Sequence, residues 1–281
     1  MSNAVPTAVR TGMSAGWIEI RQSFSNAQDI VGMLFIPIVL LVVAIFMRDS
    51  TVDGTSFSLA SMTLPSLLGM TLAFNGLQGV AFTLLMERED GTLLRAKASP
   101  NGMLAYLIDK ILQSSAGAVI TVLLILIPGI FLFDGLVLDQ PGAWLTLAWV
   151  VVLGLLATMP FGAILGSLLG NPRAIGVLMF PLLVLIGISG IFYPMAQAPE
   201  WLQWIAQVFP IYWLGLGMRS ALLPDTMAVV EIGESWRYWE TFGVLGIWAV
   251  LGLVLAPIVL RKMAAGESGS AVAERRIKAM Q

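Results

Sequence analysis

Met86-Glu87-Arg88-Glu89-Asp90-Gly91-Thr92-Leu93-Leu94-Arg95-Ala96-Lys97-Ala98-Ser99-Pro100 places six charged residues in fifteen, between two long uncharged runs. Such a segment belongs in water, against something other than lipid. Asp90 is suited to cap a short helix; acids gather at its start, and Arg95 and Lys97 lie near its end, as the helix macrodipole favours. Ser99-Pro100 stops that helix and opens the next, with Ser99 as N-cap and Pro100 at the first helical position. The stretch predicts a short rigid helix clamped between two membrane spans, a shape suited to receiving force from a partner.

The surrounding composition fixes the class. The chain is 58% hydrophobic and 11% charged, with a mean hydropathy of +0.88, whereas soluble domains carry roughly a quarter of charged residues. Runs free of Asp, Glu, Lys and Arg cover 30–47, 54–86, 111–133, 143–170, 174–199 and 241–260. Each is near or above the roughly 20 residues that a helix needs to cross hydrocarbon. These runs predict an all-α polytopic membrane protein with six transmembrane helices. No alternating ten-residue segments suggest a barrel, and backbone groups in lipid are otherwise satisfied only by helices.

Orientation follows from the basic residues. Arg10, Arg21, Arg88, Arg95, Lys97, Lys110, Arg173, Arg261, Lys262, Arg275, Arg276 and Lys278 fall on one side of six spans, and Arg48, Arg219 and Arg237 on the other. This bias predicts that both termini, the 87–110 loop and the 171–173 turn are cytoplasmic. The first apolar run begins only near Ile30, which argues against a cleaved signal peptide. Ahead of it, Val9, Met13, Trp17, Ile20, Phe24 and Ala27 recur at helical spacing, after a possible cap at Thr7. Residues 8–28 therefore read as an N-terminal amphipathic helix lying in the interface, weakened by Gly12 and Gly16. A disordered tail is the alternative.

Trp201 to Met218 forms one more uncharged stretch, nearly long enough to cross. A seventh span would carry Arg261, Lys262, Arg275, Arg276 and Lys278 outside, against the charge bias. Pro210 interrupts the stretch, so 200–222 reads as a re-entrant outer helical hairpin before the last span; a surface segment that never dips is the alternative. Residues 261–281 read as a cytoplasmic tail whose Gly266-Glu267-Ser268-Gly269-Ser270 resembles a flexible end. The whole chain, 1–281, thus reads as a single transmembrane domain without an internal repeat.

Several chemistries have no residues to run on. With neither Cys nor His, thiol nucleophiles and Cys or His metal sites are excluded, and no catalytic or metal-ligating residue is expected. The basic residues are divided among separate flanking segments, so no nucleic-acid face is expected. Ion-coupled transporters usually mark their path with ionisable residues inside the spans, and none of the six runs contains one. Gly-Lys never occurs, which removes a P-loop, and neither G-x-S-x-G nor H-E-x-x-H is present. What remains is a membrane domain powered from outside itself.

Six spans, an amphipathic N-terminal helix, an outer segment before the last span and Arg88-Glu89-Asp90-Gly91-Thr92 followed by Ser99-Pro100 resemble the ABC-2 type permeases, particularly their daunorubicin- and multidrug-resistance branch with the type V exporter fold. Asp90 and Leu93-Leu94 stand where relatives often carry further Glu and a different helix face. The resemblance implies that 87–100 is the cytoplasmic coupling helix, with Glu89, Asp90, Gly91, Thr92, Arg95 and Pro100 meeting a separate ABC ATPase subunit. It further implies a second permease subunit, identical or not, and a bacterial plasma membrane location. No cofactor belongs to this chain; ATP and Mg would lie on the partner.

Charge-free spans suit a lipophilic or amphiphilic substrate, a drug or membrane lipid, better than an ion or sugar. Phe74, Asn75, Gln78, Phe82, Met179, Phe180 and Ile186 are the candidate pathway residues, each of which ordinary helix packing would also explain. Trp201, Trp204, Tyr212 and Trp213 are candidates for an outer gate, offering apolar faces and polar tips at the lipid boundary. A polysaccharide or lipid-linked glycan exporter and an energy-independent channel or scramblase are the rival readings.

Overall fold

The computed structural model describes residues 4–48, 50, 58–99, 102–169 and 175–266. Pro100, the 171–173 turn, the start of the 54–86 run and the tail beyond 266 lie outside these. Among the described residues the chain forms eleven α-helices and no β-strand. They are α1 Ala4–Ser23, α2 Ala27–Phe46, α3 Leu59–Phe74, α4 Val80–Asp90, α5 Thr92–Ala98, α6 Gly102–Leu132, α7 Pro141–Leu168, α8 Ile175–Gly187, α9 Glu200–Val208, α10 Pro210–Leu222 and α11 Tyr238–Gly266.

Five stretches are long and apolar enough to cross a membrane: Ala27–Phe46, Leu59–Asp90, Ala105–Leu132, Pro141–Leu168 and Tyr238–Met263. The second is α3 and α4 running on through a single π-helical turn at Asn75–Gly79. The run 174–199, expected as a span, is not one helix. Helix α8 is described from Ile175, directly after the undescribed residues 170–174, and does not continue past Gly187. It ends because Ser189 Oγ donates to the Ile186 carbonyl at 2.7 Å and Gly190 takes a left-handed φ of +67°, after which a 3-10 turn follows at Met195–Gln197.

The N-terminal region also divides differently from the expected 8–28. Asn26 caps a new helix, its Oδ1 accepting from the Gln28 backbone N–H at 3.1 Å, so Ala27 already belongs to α2. Helix α1 lies along α6, and it seats on its glycines. A Cβ at Gly12 would strike the Ala105 carbonyl, and one at Gly16 would lie 3.0 Å from Leu112 and 3.2 Å from Asp109. The residues that weaken the helix intrinsically are those that let it approach, while Met13, Trp17, Ile18 and Phe24 point outward, Trp17 with 67% of its surface open.

The centre of the fold is α10. All thirteen of its residues are buried, packed between α3, α7 and α11. Pro210 starts it at the first helical position. Contact with α3 is backbone to backbone: a Cβ at Gly69 would come within 2.7 Å of the Leu214 carbonyl oxygen. Helix α9 is its opposite, amphipathic, with Trp201, Trp204, Ile205 and Val208 exposed and Ala206 buried.

Candidate functional site

Helix α5 is fixed from both ends and from beneath. At its start Asp90 Oδ1 accepts from the Thr92 backbone N–H at 2.8 Å, and Gly91 turns the chain with a φ of +83°, a conformation that costs an L side chain about 1–2 kcal/mol. Arg95 N–H closes on the Gly91 carbonyl at 3.1 Å. At its end Ser99 is extended, with φ −96° and ψ 147°, as a residue before proline should be. Its hydroxyl donates back to the Ala96 carbonyl at 3.0 Å, and the following helix is described from Gly102. Beneath, Leu93 is buried in a small separate core with Leu84 and Tyr106, flanked by Leu260 and Met263 of α11. That core gives a place to Leu93, one of the residues at which the sequence departs from the family's pattern.

Two charges at the base of α4 bolt the element to its neighbours. Arg88 donates to the carbonyls of Leu169 at 2.9 Å and Ser167 at 3.3 Å, capping the C-terminal end of α7 where a cation is favoured. Glu87 accepts from Tyr106 at 2.5 Å and pairs with Lys110 at 2.6 Å, both on α6. Lys110 reaches onward to Glu19 of α1 at 2.8 Å. Of the expected coupling residues, Asp90 and Arg95 are exposed, Glu89, Gly91 and Thr92 half-buried, and Pro100 is outside the described residues. Glu87, Tyr106, Lys110 and Glu19 were not among them. For two of them a signal was present, since Glu87 and Lys110 are the charges that bound the runs 54–86 and 111–133.

The expected pathway residues separate. Phe74, Asn75 and Gln78 lie at the π-helical turn, against α6, α7 and α8, a feature that recurs at functional sites. Gly162 of α7 backs this turn, so close that a Cβ there would lie 2.7 Å from the Leu77 carbonyl oxygen. Asn75 Nδ2 donates to Thr71 at 2.9 Å, while the buried Oε1 of Gln78 has no hydrogen-bond partner among the described residues. Ile186 is buried and Met179 half-buried on α8, but Phe82 and Phe180 face outward from the subunit.

The expected gate separates further. Trp201 and Trp204 are 63% and 68% exposed on α9, while Tyr212 and Trp213 are buried in α10, in an edge-to-face pair with centroids 5.1 Å apart. Trp213 donates to the Gln207 carbonyl at 2.7 Å and lies 4.7 Å beneath the Arg237 guanidinium. Neither Tyr212 nor Trp213 offers a face to lipid in this chain. Beside them Trp204, Gln207, Arg237 and Glu240 line a cleft of about 340 Å³.

Arg219, one of the three basic residues assigned to the outer side, is not a surface charge. It is wholly buried, paired with Glu231 at 2.6 Å and donating to Ser66 Oγ of α3 at 2.7 Å. One side chain thus ties α10, α3 and the segment after α10 together.

Membrane-length helices packed around a buried helix, with a short charged helix bolted across one end, define a multi-pass membrane protein. Residues 47–258 match the family described as ABC-2 family transporter protein, and the chain belongs to that family. It is a membrane permease subunit of an ABC transporter, a family whose members work with a separate ABC ATPase. A search of curated proteins finds no match.

Proposed function

We propose that this permease exports a lipophilic or amphiphilic molecule, a drug or lipid, from a bacterial cell, powered by ATP hydrolysis on a partner subunit that docks on α5. The observation that carries this reading is the construction of α5: a helix capped at Asp90, turned by Gly91 and bolted through Arg88 and Glu87, with Asp90 and Arg95 still exposed. A fragment so held transmits displacement into α4, α6 and α7 instead of absorbing it. The apolar character of the membrane-length helices supports a substrate taken from the bilayer.

In this reading α8 is the fifth of six crossings, α9 and α10 dip into the outer leaflet and return, and both termini are cytoplasmic. Two permeases, with ATP and Mg on two ATPase subunits, enclose a path past the π-helical turn near Asn75 and Gln78. The affinity with the daunorubicin- and multidrug-resistance branch belongs to the same proposal. It is tested by reconstituting the permease with its ATPase in vesicles. ATP-dependent movement of a lipophilic fluorescent probe that stops in an ATPase-dead pair supports it; movement without ATP, or export of a cell-surface glycan with no effect on any lipophilic probe, overturns it.

A further inference from the structure

Among the described residues, Lys110 is the cation on which three carboxylates converge. Glu19 of α1 lies at 2.8 Å, Glu87 of α4 at 2.6 Å, and Asp109, its neighbour on α6, at 3.4 Å. Gln113 accepts from it at 3.1 Å, and Tyr106 donates to the second oxygen of Glu87. Three acids outnumber one base, and without Lys110 no cation of this cluster would stand between Glu19 of α1 and Glu87 of α4, which would then present like charges to each other. Lys110 and Glu87 are only 14% and 13% exposed, a setting in which charges interact more strongly than at an open surface.

The seat of α1 gives this cation a specific task. Gly12 and Gly16 bring α1 onto Ala105, Asp109 and Leu112, but a face of glycines offers close approach with little to oppose sliding along the axis. Glu19 follows one turn further on, at the height of Lys110. A lone polar contact in an apolar seam is a known way of fixing register, and this one is partly open, with Lys110 14% and Glu19 36% exposed. On the other side, Glu87 stands one turn before Asp90, which caps α5.

We infer that Lys110 is a positioning residue that registers the N-terminal helix α1 against the base of α5, acting through Glu19 on one side and Glu87 on the other, so that the two helices move as one piece. Its consequence for transport rests on α5 being the coupling helix. The geometry itself lies within this chain and is tested without the ATPase.

Because the chain has no cysteine, nitroxide labels can be attached at Ser14 and Ala98, both exposed, and their distance measured by pulsed electron spin resonance in lipid nanodiscs. The native protein should give one narrow distance, Lys110→Met a broadened or split one, and Lys110→Arg a narrow one again. Glu19→Gln removes only the arm to α1. It should broaden the Ser14–Ala98 distance while leaving an Ala98–Ile111 pair narrow. An unchanged Ser14–Ala98 distribution in Lys110→Met overturns the assignment. Should that variant fail to insert, an unchanged distribution in Glu19→Gln overturns it equally. Failure of the docking reading would show instead as absence of ATPase contact at α5, with these distances unaffected.

Discussion

Arg219 and Glu231 form a two-pronged ion pair, Nε to Oε1 at 2.6 Å and Nη2 to Oε2 at 3.1 Å, with side chains 0% and 1% exposed. The remaining guanidinium nitrogen is used by Ser66 at 2.7 Å. Such a pair carries a large desolvation cost, so losing one member is far worse than losing both. Glu231→Ala should destabilise the protein by about 3–5 kcal/mol, read as a lowered denaturation midpoint in detergent. Arg219→Met with Glu231→Leu should recover most of that loss. Equal destabilisation in the single and double variants would contradict the buried pair.

The tryptophans of the outer segment should respond in opposite ways. Trp213 is buried beneath Arg237, so Trp213→Ala should cost about 3–5 kcal/mol. Trp204 is exposed on α9, and Trp204→Ala should change stability by no more than about 0.5 kcal/mol. Melting of the purified permease distinguishes them. A gate role is therefore tested with Trp201 and Trp204, whose removal leaves the fold alone, and not with Trp213.

Topology is open to single-cysteine labelling in a chain without native cysteine. Gly135 and Val229, both exposed, should react with an impermeant thiol reagent added outside cells, and Ser99 and Ala265 should not. Reaction of Ala265 from outside would mean an odd number of crossings, either five without α8 or seven with 201–218.

What could be read in the sequence was what length and charge alone decide. The runs 30–47, 111–133, 143–170 and 241–260 became helices because an apolar stretch of that length has little other use. The bond from Asp90 to the start of α5 was legible because capping depends on residues within four of each other, whereas the left-handed turn at Gly91 was not anticipated. The misreadings depended on partners far along the chain. Arg219 resembled an outer charge until Glu231 and Ser66 closed on it. Gly12 and Gly16 resembled helix weaknesses until α6 was set against them. Tyr212 and Trp213 have the composition of an interfacial belt, and only the packing of α10 between α3, α7 and α11 buries them.

Docking of an ATPase on α5, as proposed above, is open to site-specific photocrosslinking. A benzophenone amino acid at Arg95, exposed on α5, is irradiated in native membranes, with Trp201 on α9 as the control. One adduct is expected at Arg95, identified by mass spectrometry as an ABC ATPase, and no ATPase adduct at Trp201. No ATPase adduct at Arg95, from a permease that is inserted and folded, would contradict it.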